Sequence, residues 1–575
     1  MFLREWKQFR AWLDDQTPGR RLWLMLAAVG VVLGALSLAG TPGGDRSPAV
    51  AEASDTKALS TEQAAATGEG IGSLSDRPGL AGRPVKTIAV ARVERPAVPP
   101  SAAAVPVAAG HGAAGKHPAT KEQRAEAPQP AEAPSGAKGS ISADGPTIAA
   151  PSLKTAETKM NIQDVTSPGG ISAWLVEEHG VPLLALRFVF DGGSSQDPAG
   201  KEGLANFLTA MMDEGAGELT ATQYQERMEE LAVRMGFKDA KDALYGSFET
   251  LTANREPALE MLRLAINSPR FDQDAVERIR KQLLANLAYA AKNPQQVAGR
   301  AWYEDAFPNH PYGRHANGSP ESIESIQPAD LEAYRKRTFA RDTLKVVAVG
   351  DIDAKTLGEV LDKVFGALPA KSELTPVPDT TPMPVKKLKV VEMDVPQSVV
   401  QFGLAGFARK DPDFIPAFVM NQILGGGGFA SRLTEEVREK RGLAYSVYSY
   451  MQPLEHASVF GGGVATKNEA VKQSIDVIRS ELERMAKDGP TETELANAKS
   501  YLTGSFALRF DTNAKIANQL LWMMHEHMGI DYPERRNAMI EAVSMEDVRR
   551  AAKRLLKVDD LFITVVGKPK GLGNG

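Results

Sequence analysis

Regular patterns of apolar and polar residues begin near Asn161 and mark a folded body that extends towards the end of the chain. The stretches ISAWLVEE and VPLLALRFVF are rich in β-branched and aromatic residues, which predicts a pair of neighbouring strands. Thr220 and Gln223 give a capping-box signal before QERMEELAVRMG, which predicts a helix there. The other elements predicted in this half are helices at 203–213, 256–267, 274–291, 328–338 and 355–365, and strands at 242–252 and 344–351.

The pattern is interrupted at 374–384, LTPVPDTTPMP, which is proline-rich and has no periodicity. We interpret residues 373–386 as a linker and hinge between two domains. Periodic segments then resume. They predict the strands KLKVVEMDV, SVVQFGLAGF, AYSVYSYMQ, SVFGGGVAT and LFITVVGKP, and helices at 416–424, 431–440, 469–487, 493–507, 515–528 and 545–556.

The two halves of the body end alike. YRKRTFARDTLKVVAVGDI in the first half and AAKRLLKVDDLFITVVGKP in the second each read as a basic helix, a short turn and a hydrophobic strand that ends in Val-Gly. We interpret this likeness as an internal duplication with a period of about 200 residues, too long for a solenoid. The predicted fold class is α+β, with two homologous domains at 156–372 and 387–570. Each is expected to place helices on one face of a mainly antiparallel sheet.

The N-terminal end carries a membrane signal. Residues 22–40, LWLMLAAVGVVLGALSLAG, contain no charge in nineteen positions, enough for a helix to cross about 30 Å of hydrocarbon. Arg20 and Arg21 precede this run, so residues 1–21 are expected to stay in the cytoplasm. We expect a single-pass anchor in a bacterial inner membrane, with the body in the periplasm. The alternative is a signal peptide cleaved near Ala39, which releases the body to the periplasm.

The composition of the chain excludes several classes of function and indicates a disordered segment. Residues 41–155 contain no Phe, Tyr or Trp and are rich in Ala, Pro and Gly, which predicts a disordered linker. The net charge of −5, without a long basic run, gives nucleic-acid binding no electrostatic support. The chain has no cysteine, which excludes disulfides, thiolate zinc sites and a cysteine nucleophile.

Two sets of motifs stand in a characteristic order. The first half contains GGISAWLVEEHGVPLLALRFVFDGGSSQDPAGKEGLANFL, NHPYGRHANGSPESIESI and LKVVAVGDI, and the second contains ILGGGGFASRLTEEVREKRGLAYSVYSY. From about residue 160 to 570 the chain therefore resembles the M16 (insulinase, pitrilysin and mitochondrial processing peptidase) family of zinc peptidases, in its short bacterial two-domain form. The resemblance implies a chamber that closes around a peptide.

The resemblance also locates the zinc motif, His-x-x-Glu-His, at the stretch GLANFLTA. Asn206 and Ala210 occupy the two histidine positions, and Thr209 occupies the position of the general base. The third ligand of the family, a Glu, falls near Asn286 and Leu287. Zinc needs about three imidazole, thiolate or carboxylate ligands, so we expect no metal on this chain.

No other catalytic constellation replaces this motif. His525 and His527 read HEH in a predicted helix, where a two-residue spacing turns the side chains about 200° apart. His310 and His315 flank Pro311 in a loop, where capping and packing roles are expected. The sequence contains no Gly-x-Ser-x-Gly elbow, Walker loop or dinucleotide fingerprint.

The second half retains what the resemblance assigns to substrate. Arg438 and Tyr445 match the family's Arg/Tyr pair, which acts across the chamber on the bound peptide. Their guanidinium and phenol groups are donors suited to a peptide carbonyl and to the oxyanion that forms from it. The alternative is a surface ion pair for Arg438 and a packed Tyr445 at a strand start.

A run of four glycines precedes the helix predicted at 431–440. The resemblance implies that this run is a loop near the inner face of the peptide chamber, and the alternative is a flexible helix entry. A phosphate cradle is not expected, because no Gly-Lys-Ser/Thr follows. The residues of this predicted chamber loop are Gly425, Gly426, Gly427 and Gly428.

These features predict a pseudo-peptidase subunit that is inactive alone. Its expected partner is a zinc-bearing M16 homologue, with zinc present only in that partner and a heterodimer enclosing the peptide substrate. The resemblance supplies this division of labour, because some bacterial members place the zinc and the Arg/Tyr pair on different chains. The alternative is a non-catalytic scaffold or peptide-binding protein with the same fold.

Overall fold

The structure, a computed structural model, describes residues 86–91, 157–383 and 387–572. The predicted anchor at 22–40 and most of the linker at 41–155 lie outside these residues. Within the part of the chain that the structure describes, no helix has the length and apolar character needed to cross a membrane.

The first half combines one sheet with a layer of helices. Its strands are β1 (Lys86–Ala91), β2 (Glu157–Thr166), β3 (Ser172–Glu177), β4 (Leu183–Asp191), β5 (Arg234–Asp239), β6 (Ala243–Leu251) and β7 (Lys345–Gly350). Its helices are α1 (Leu204–Met211), α2 (Ala221–Glu230), α3 (Arg255–Asn267), α4 (Gln273–Ala290), α5 (Pro294–Ala306), α6 (Pro320–Ser325), α7 (Pro328–Thr338) and α8 (Ala354–Phe365).

The second half is built in the same way. Its strands are β8 (Leu388–Glu392), β9 (Gln397–Ala405), β10 (Ala444–Pro453), β11 (Ser458–Lys467) and β12 (Phe562–Gly567). Its helices are α9 (Phe414–Asn421), α10 (Val471–Asp488), α11 (Glu492–Phe506), α12 (Asn513–His525), α13 (Tyr532–Glu541) and α14 (Met545–Leu555), with π-helical segments at Gln422–Gly426 and Thr434–Glu439.

The two sheets share one topology. Five strands of the first sheet follow the order β3-β7-β4-β6-β5, and the second sheet follows the order β8-β12-β9-β11-β10. In each sheet the first of these pairs, β3 with β7 and β8 with β12, is parallel, and the other neighbours are antiparallel. The shared order is what an internal duplication produces, and the fold is α+β with mixed, mainly antiparallel sheets.

One predicted pairing of strands is wrong. The strands β3 and β4 are not paired with each other, because β7 lies between them and bonds to both. In addition, β1 lies inside the segment predicted to be a disordered linker, where it pairs antiparallel with β2. The sequence KTIAVA contains β-branched residues, and it satisfies the backbone groups of β2 on the side that faces away from β3.

The helix predicted at QERMEELAVRMG extends further than the helix in the structure. Helix α2 stops at Glu230, Ala232 has a φ of 51°, and β5 starts at Arg234. Apolar residues at 231, 233, 235 and 237 alternate with other residues, which is the period of a strand and not of a helix. The helices α5, α6 and α13 are present although the sequence pattern did not predict them.

Both faces of the first sheet are buried. Leu186 and Phe188 of β4 point into an apolar cluster formed with helices of the same half. Val189 and Val347 point to the opposite face, where they pack with Leu520 and other residues of α12 from the second half. The expectation of helices on one face therefore holds within each half, and the other half covers the second face.

The second sheet is covered in the same reciprocal manner. Helix α5, from the first half, lies across β9 and β12. The Trp302 indole stacks on Phe562, with ring centres 4.6 Å apart and planes at 19°. An indole carbon approaches Gly403 so closely that a Cβ added there would lie 2.2 Å from it, so no other residue fits without movement. Each half thus completes the core of the other.

The proline-rich segment that the sequence suggested as a hinge is bonded to both halves. The Thr375 N–H donates to Gln196 Oε1 at 2.8 Å, and the Gln196 side chain donates back to the Thr375 carbonyl at 2.9 Å. Further along, the Thr380 N–H donates to the carbonyl of His456 in the second half at 2.8 Å. These bonds hold the segment in place along its length.

Candidate functional site

The degenerate zinc motif lies on α1, at the edge of the first core. Gly203 precedes the helix with a φ of 91°, in the left-handed region that favours glycine. The carboxylate of Asp197 accepts hydrogen bonds from the N–H groups of Gly203 at 2.8 Å and Ala205 at 2.9 Å, which caps the start of the helix. Burial raises the pKa of Asp197 to about 8, despite these two donors.

The side chains at the motif positions are used for structure. Asn206 Nδ2 donates to Asp239 Oδ1 at 3.0 Å, and Asp239 is the last residue of β5. Thr209 Oγ1 donates to the Asn206 carbonyl at 3.0 Å, within the same helix. Ala210 packs against the apolar core. Burial raises the pKa of Asp239, and the hydrogen bond from Asn206 opposes that shift.

The region of the third ligand contributes no acidic group. Asn286 is exposed on α4, whereas its neighbour Leu287 is half-buried and packs against the same apolar cluster as Ala210. Both residues are compatible with the spacing of the family motif. Leu287 shares the core with the motif and Asn286 does not, and which of the two occupies the ligand position stays a prediction.

The residues present do not fit a zinc ion. An amide bonded to Asp239, a hydroxyl bonded to its own helix and a methyl group replace two imidazoles and a carboxylate. Within the described ranges, no group of three or more His, Cys, Asp or Glu side chains is placed to hold a metal. We therefore assign no step of metal chemistry to this half.

The HEH sequence forms part of the contact between the halves. Helix α12 ends at His525 and His527 follows with a φ of 55°, so the expected helical spacing does not apply. His525 Nδ1 lies 3.8 Å from Asp191 Oδ1, and Lys345 acts electrostatically on both histidines. Burial lowers the pKa of His525 to about 3.

His310 has the expected capping role. Its Nδ1 accepts a hydrogen bond from the Tyr312 N–H at 3.1 Å, directly after Pro311. The other ring nitrogen, Nε2, lies 2.9 Å from the Pro378 carbonyl oxygen in the proline-rich segment. This histidine therefore serves the structure of its loop and of the connection between the halves.

Arg438 projects from a distorted helix in the second half. In this segment the Lys440 N–H donates to the Glu435 carbonyl, five residues back, at 2.9 Å. Such a π-helical turn holds one residue more than an α-turn and changes the direction of the side chains that follow. Arg438 forms an ion pair with Glu439, Nε to Oε1 at 3.2 Å. No hydrogen bond from the guanidinium is found within the described part of the chain, so the N–H groups outside this ion pair are available to a ligand.

Tyr445 is exposed beside this guanidinium. The register of β10 against β11 shifts between Ala444 and Val447, and the bulge carries Tyr445 out of the regular pairing. The tyrosine is 82% exposed, which excludes the alternative of a packed side chain at the strand start. The Arg438 guanidinium carbon lies over the Tyr445 ring, 4.9 Å from its centre.

A second aromatic ring, which the sequence did not identify, completes this group. The same guanidinium carbon lies 4.7 Å from the ring centre of Phe429, and Phe429 is 76% exposed. We call Phe429, Arg438 and Tyr445 the Arg438 cluster. The available signal was an apolar aromatic directly after four glycines, where a loop normally carries a polar residue.

The four glycines before Phe429 do not form one continuous loop. Gly425 and Gly426 belong to the π-helical segment that extends α9, and Gly427 follows as its last, capping residue with a φ of −82° and a ψ of 13°. An added Cβ at Gly427 would lie 2.5 Å from the carbonyl oxygen of Gln422, at the start of that segment. The expectation of a loop over all four residues is therefore corrected, because the first half of the run is helical.

The same glycines fix the position of Phe429. Gly425 packs so tightly on β10 that an added Cβ would lie 2.4 Å from Ser449 Oγ. Gly428 has a φ of 58°, which a β-carbon would strain. The run is therefore a helix end followed by a specific turn, both packed against the strand that carries Tyr445, and not only a flexible helix entry. Its position at a peptide chamber stays a prediction.

The two candidate regions remain separate. No hydrogen bond, ion pair or ring contact within the described residues joins the α1 motif to the Arg438 cluster. Chemically, the first region offers neither a metal ligand set nor a general base at the motif positions. The second offers a guanidinium and a phenol at an exposed surface, a combination that can bind a carbonyl oxygen or another anionic or acceptor group.

Two family profiles match the chain. Residues 175–319 match the insulinase profile of peptidase family M16. Residues 325–502 match the profile described as the peptidase M16 inactive domain. The first match includes the degenerate motif on α1, and the second includes the Arg438 cluster.

Individual relatives show the same likeness. The non-peptidase homolog YmxG of Helicobacter pylori is 28% identical over 397 residues, covering 68% of this chain and 91% of that protein. An uncharacterized zinc protease of Mycobacterium tuberculosis is 26% identical, covering 68% of this chain and 90% of that protein. Some relatives are thus named as zinc proteases and others as non-peptidase homologs.

A solved structure is also similar. The crystal structure of a peptidase M16 inactive domain from Pseudomonas fluorescens superposes with a TM-score of 0.67 and 31% identity, covering 72% of this chain and 98% of that one. A protease structure from Helicobacter pylori, at 19% identity and a TM-score of 0.64, shares the fold. With the degenerate motif described above, these matches establish that the chain belongs to the M16 peptidase family, in its inactive form.

Proposed function

We propose that this chain is the non-catalytic subunit of a two-subunit M16 metalloendopeptidase. A zinc-bearing M16 homologue supplies the metal and the general base, and this chain supplies peptide binding and oxyanion stabilisation. The observation that carries the proposal is the contrast between its two halves. The motif residues Asn206 and Thr209 are engaged in internal hydrogen bonds, whereas Tyr445 is exposed and lies against the half-buried Arg438.

The chemistry of the retained pair suits that task. When a peptide carbonyl is attacked, negative charge develops on its oxygen, and donors already aimed at that position lower the barrier. Arg438 has a fixed positive charge and several N–H donors, and the Tyr445 hydroxyl can donate one hydrogen bond. A surface that provides only these donors needs a second protein to activate water.

The N-terminal segments fit the same proposal. We propose that residues 22–40 anchor the chain in a bacterial inner membrane and that residues 41–155 act largely as a tether. A coil of this length has an end-to-end distance on the order of 60 Å, enough for the body to reach a partner within the periplasm. Cleavage near Ala39 is the alternative and releases the same body to the periplasm.

A second candidate function is a scaffold or peptide-binding protein without a catalytic partner. It is favoured by one observation, the name non-peptidase homolog given to the Helicobacter pylori relative. Both functions predict an inactive chain, and they differ in what the Arg438 cluster does when a zinc-bearing homologue is present.

The experiment uses the full chain, purified in detergent, with and without a zinc-bearing M16 homologue from the same organism. Zinc is measured on each peak of a size-exclusion run, and cleavage of unfolded β-casein is measured in parallel. We expect no stoichiometric zinc and no cleavage for the chain alone, and cleavage for the mixture. Arg438→Ala should lower kcat/KM of the mixture by about a hundredfold, because one oxyanion donor is lost.

The matched control is Arg227→Ala. It removes an exposed arginine of the first half, where Arg227 is paired with Glu230. It should leave both complex formation and cleavage unchanged. Full activity of a complex that carries Arg438→Ala and Tyr445→Phe together would contradict the catalytic role. A stable complex that never cleaves would support the scaffold function.

A further inference from the structure

Phe429 has an arrangement that core packing does not explain. It is 76% exposed and is absent from the apolar clusters of the described residues. Its ring lies against the guanidinium of Arg438, whose carbon is 4.7 Å from the ring centre. The contact with this cation is therefore the interaction that can explain why a large apolar side chain is held at the surface.

The rings of Phe429 and Tyr445 both lie against Arg438. The guanidinium carbon is 4.7 Å from one ring centre and 4.9 Å from the other. No ring contact between Phe429 and Tyr445 themselves is found among the described residues, so each ring meets the guanidinium separately. Aromatic faces attract the cation without using its N–H groups, which lie in the guanidinium plane. The cluster thus restrains the arginine and leaves the donors that are not paired with Glu439 available.

We propose that Phe429 is a positioning residue, which orders Arg438 for binding the carbonyl oxygen of an extended peptide. This inference rests on the proposed function of Arg438. A free arginine side chain has many rotamers and loses that freedom when it binds a ligand. A ring that holds the guanidinium before the peptide arrives reduces this loss and strengthens binding.

The backbone around Phe429 supports a fixed position. Gly428, with its φ of 58°, turns the chain directly before the ring, and Gly425 is pressed against Ser449 of β10. Tyr445 lies near the start of β10, and Arg438 lies on the π-helical segment Thr434–Glu439, which packs on β10. Three separate backbone features therefore converge on one guanidinium.

The test is a double-mutant cycle between Phe429 and Arg438. The variants are Phe429→Leu, which keeps apolar volume without a ring, Phe429→Tyr, which keeps the ring, Arg438→Ala, and Phe429→Leu with Arg438→Ala. Binding of fluorescein-labelled β-casein to the full chain in detergent is measured by fluorescence anisotropy. Tyr501→Leu, at a tyrosine that is 61% exposed, is the control for loss of an exposed aromatic residue elsewhere.

We expect Phe429→Leu to raise the Kd for β-casein by about two- to fivefold, in line with an exposed cation–π contact. Phe429→Tyr and Tyr501→Leu should bind like the wild type. In the Arg438→Ala background, Phe429→Leu should have no further effect, because its action passes through the arginine.

The outcomes separate the two claims. An unchanged Kd for Phe429→Leu, with a raised Kd for Arg438→Ala, overturns the inference and leaves the function of Arg438 intact. An equal effect of Phe429→Leu with and without Arg438 shows that the ring contacts peptide by itself, which also overturns the positioning role. An unchanged Kd for Arg438→Ala overturns the proposed peptide contact of Arg438, and the inference with it.

Discussion

Asn206 donates a hydrogen bond to Asp239, so that the first ligand position of the lost zinc motif is tied to the edge strand of the first sheet at 3.0 Å. Asn206→Ala leaves this carboxylate without its side-chain donor in a site where burial already raises its pKa. We expect the free energy of unfolding to fall by about 1–3 kcal/mol. Urea unfolding measures the change, and the exposed Asn286→Ala serves as control, with an effect within about 0.5 kcal/mol.

The zinc motif can be rebuilt to test the position of the third ligand. The variant Asn206→His, Thr209→Glu, Ala210→His restores three residues and still lacks one ligand. Adding Leu287→Glu should give a zinc site, because this position shares the core with Ala210. Adding Asn286→Glu instead should bind zinc much more weakly. Isothermal titration with ZnCl₂ compares the two, and tighter binding by the Asn286→Glu variant would show that the exposed position faces the motif.

The interface between the halves should respond to acid through His525. Its pKa is lowered to about 3 in the folded chain by burial and by the nearby cations Lys345, His527 and Arg409. Between about pH 6.5 and this value the unfolded chain binds the proton and the folded chain does not, so stability falls as the pH falls. The slope attributable to this group is at most about 1.4 kcal/mol per pH unit.

His525→Gln removes this titration while keeping a polar side chain. We expect the wild type to lose more unfolding free energy than the variant between pH 7 and pH 5. Urea unfolding at a series of pH values measures this difference. Asp191 and Glu526, whose pKa values burial raises, titrate in both proteins and cancel in the difference. A difference that is constant with pH would mean that His525 keeps an ordinary pKa.

The close approach of Trp302 to Gly403 should make that glycine irreplaceable. Gly403→Ala places a methyl group 2.2 Å from an indole carbon, and we expect a loss of about 1–3 kcal/mol from overpacking. Gly299→Ala, within α5 and with no atom from outside its own helix within 4 Å of the new Cβ, should instead stabilise the protein by about 0.5–1 kcal/mol. Thermal unfolding compares the two, and equal effects would show that the interface adapts.

Much of the fold could be predicted because the pattern of side chains is local. Helix α8 carries its apolar residues on one face, and strands such as β7 are continuous apolar runs. The pairing of strands was harder, because β7 inserts between β3 and β4 from more than 150 residues further along the chain. Helix α5 was missed although Asn293 caps it and Pro294 begins it, because its apolar side serves the other half.

The candidate site could be predicted only where single residue types decide the chemistry. The absence of histidine and glutamate at 206, 209 and 210 follows from the sequence directly. The choice between Asn286 and Leu287 depends on helix rotation, and the contact of Phe429 with Arg438 depends on a turn and a bulge. Such tertiary details cannot be predicted from the order of residues alone.

The exchange of α5 and α12 between the halves has a consequence for the integrity of the chain. If a protease cut the segment 374–384, the two fragments would remain joined, since each contributes a helix that the other needs for its core. The peptide bond between the halves is then dispensable for cohesion once folding is complete. A fragment synthesised alone, by contrast, would expose an uncovered sheet face to water and would aggregate.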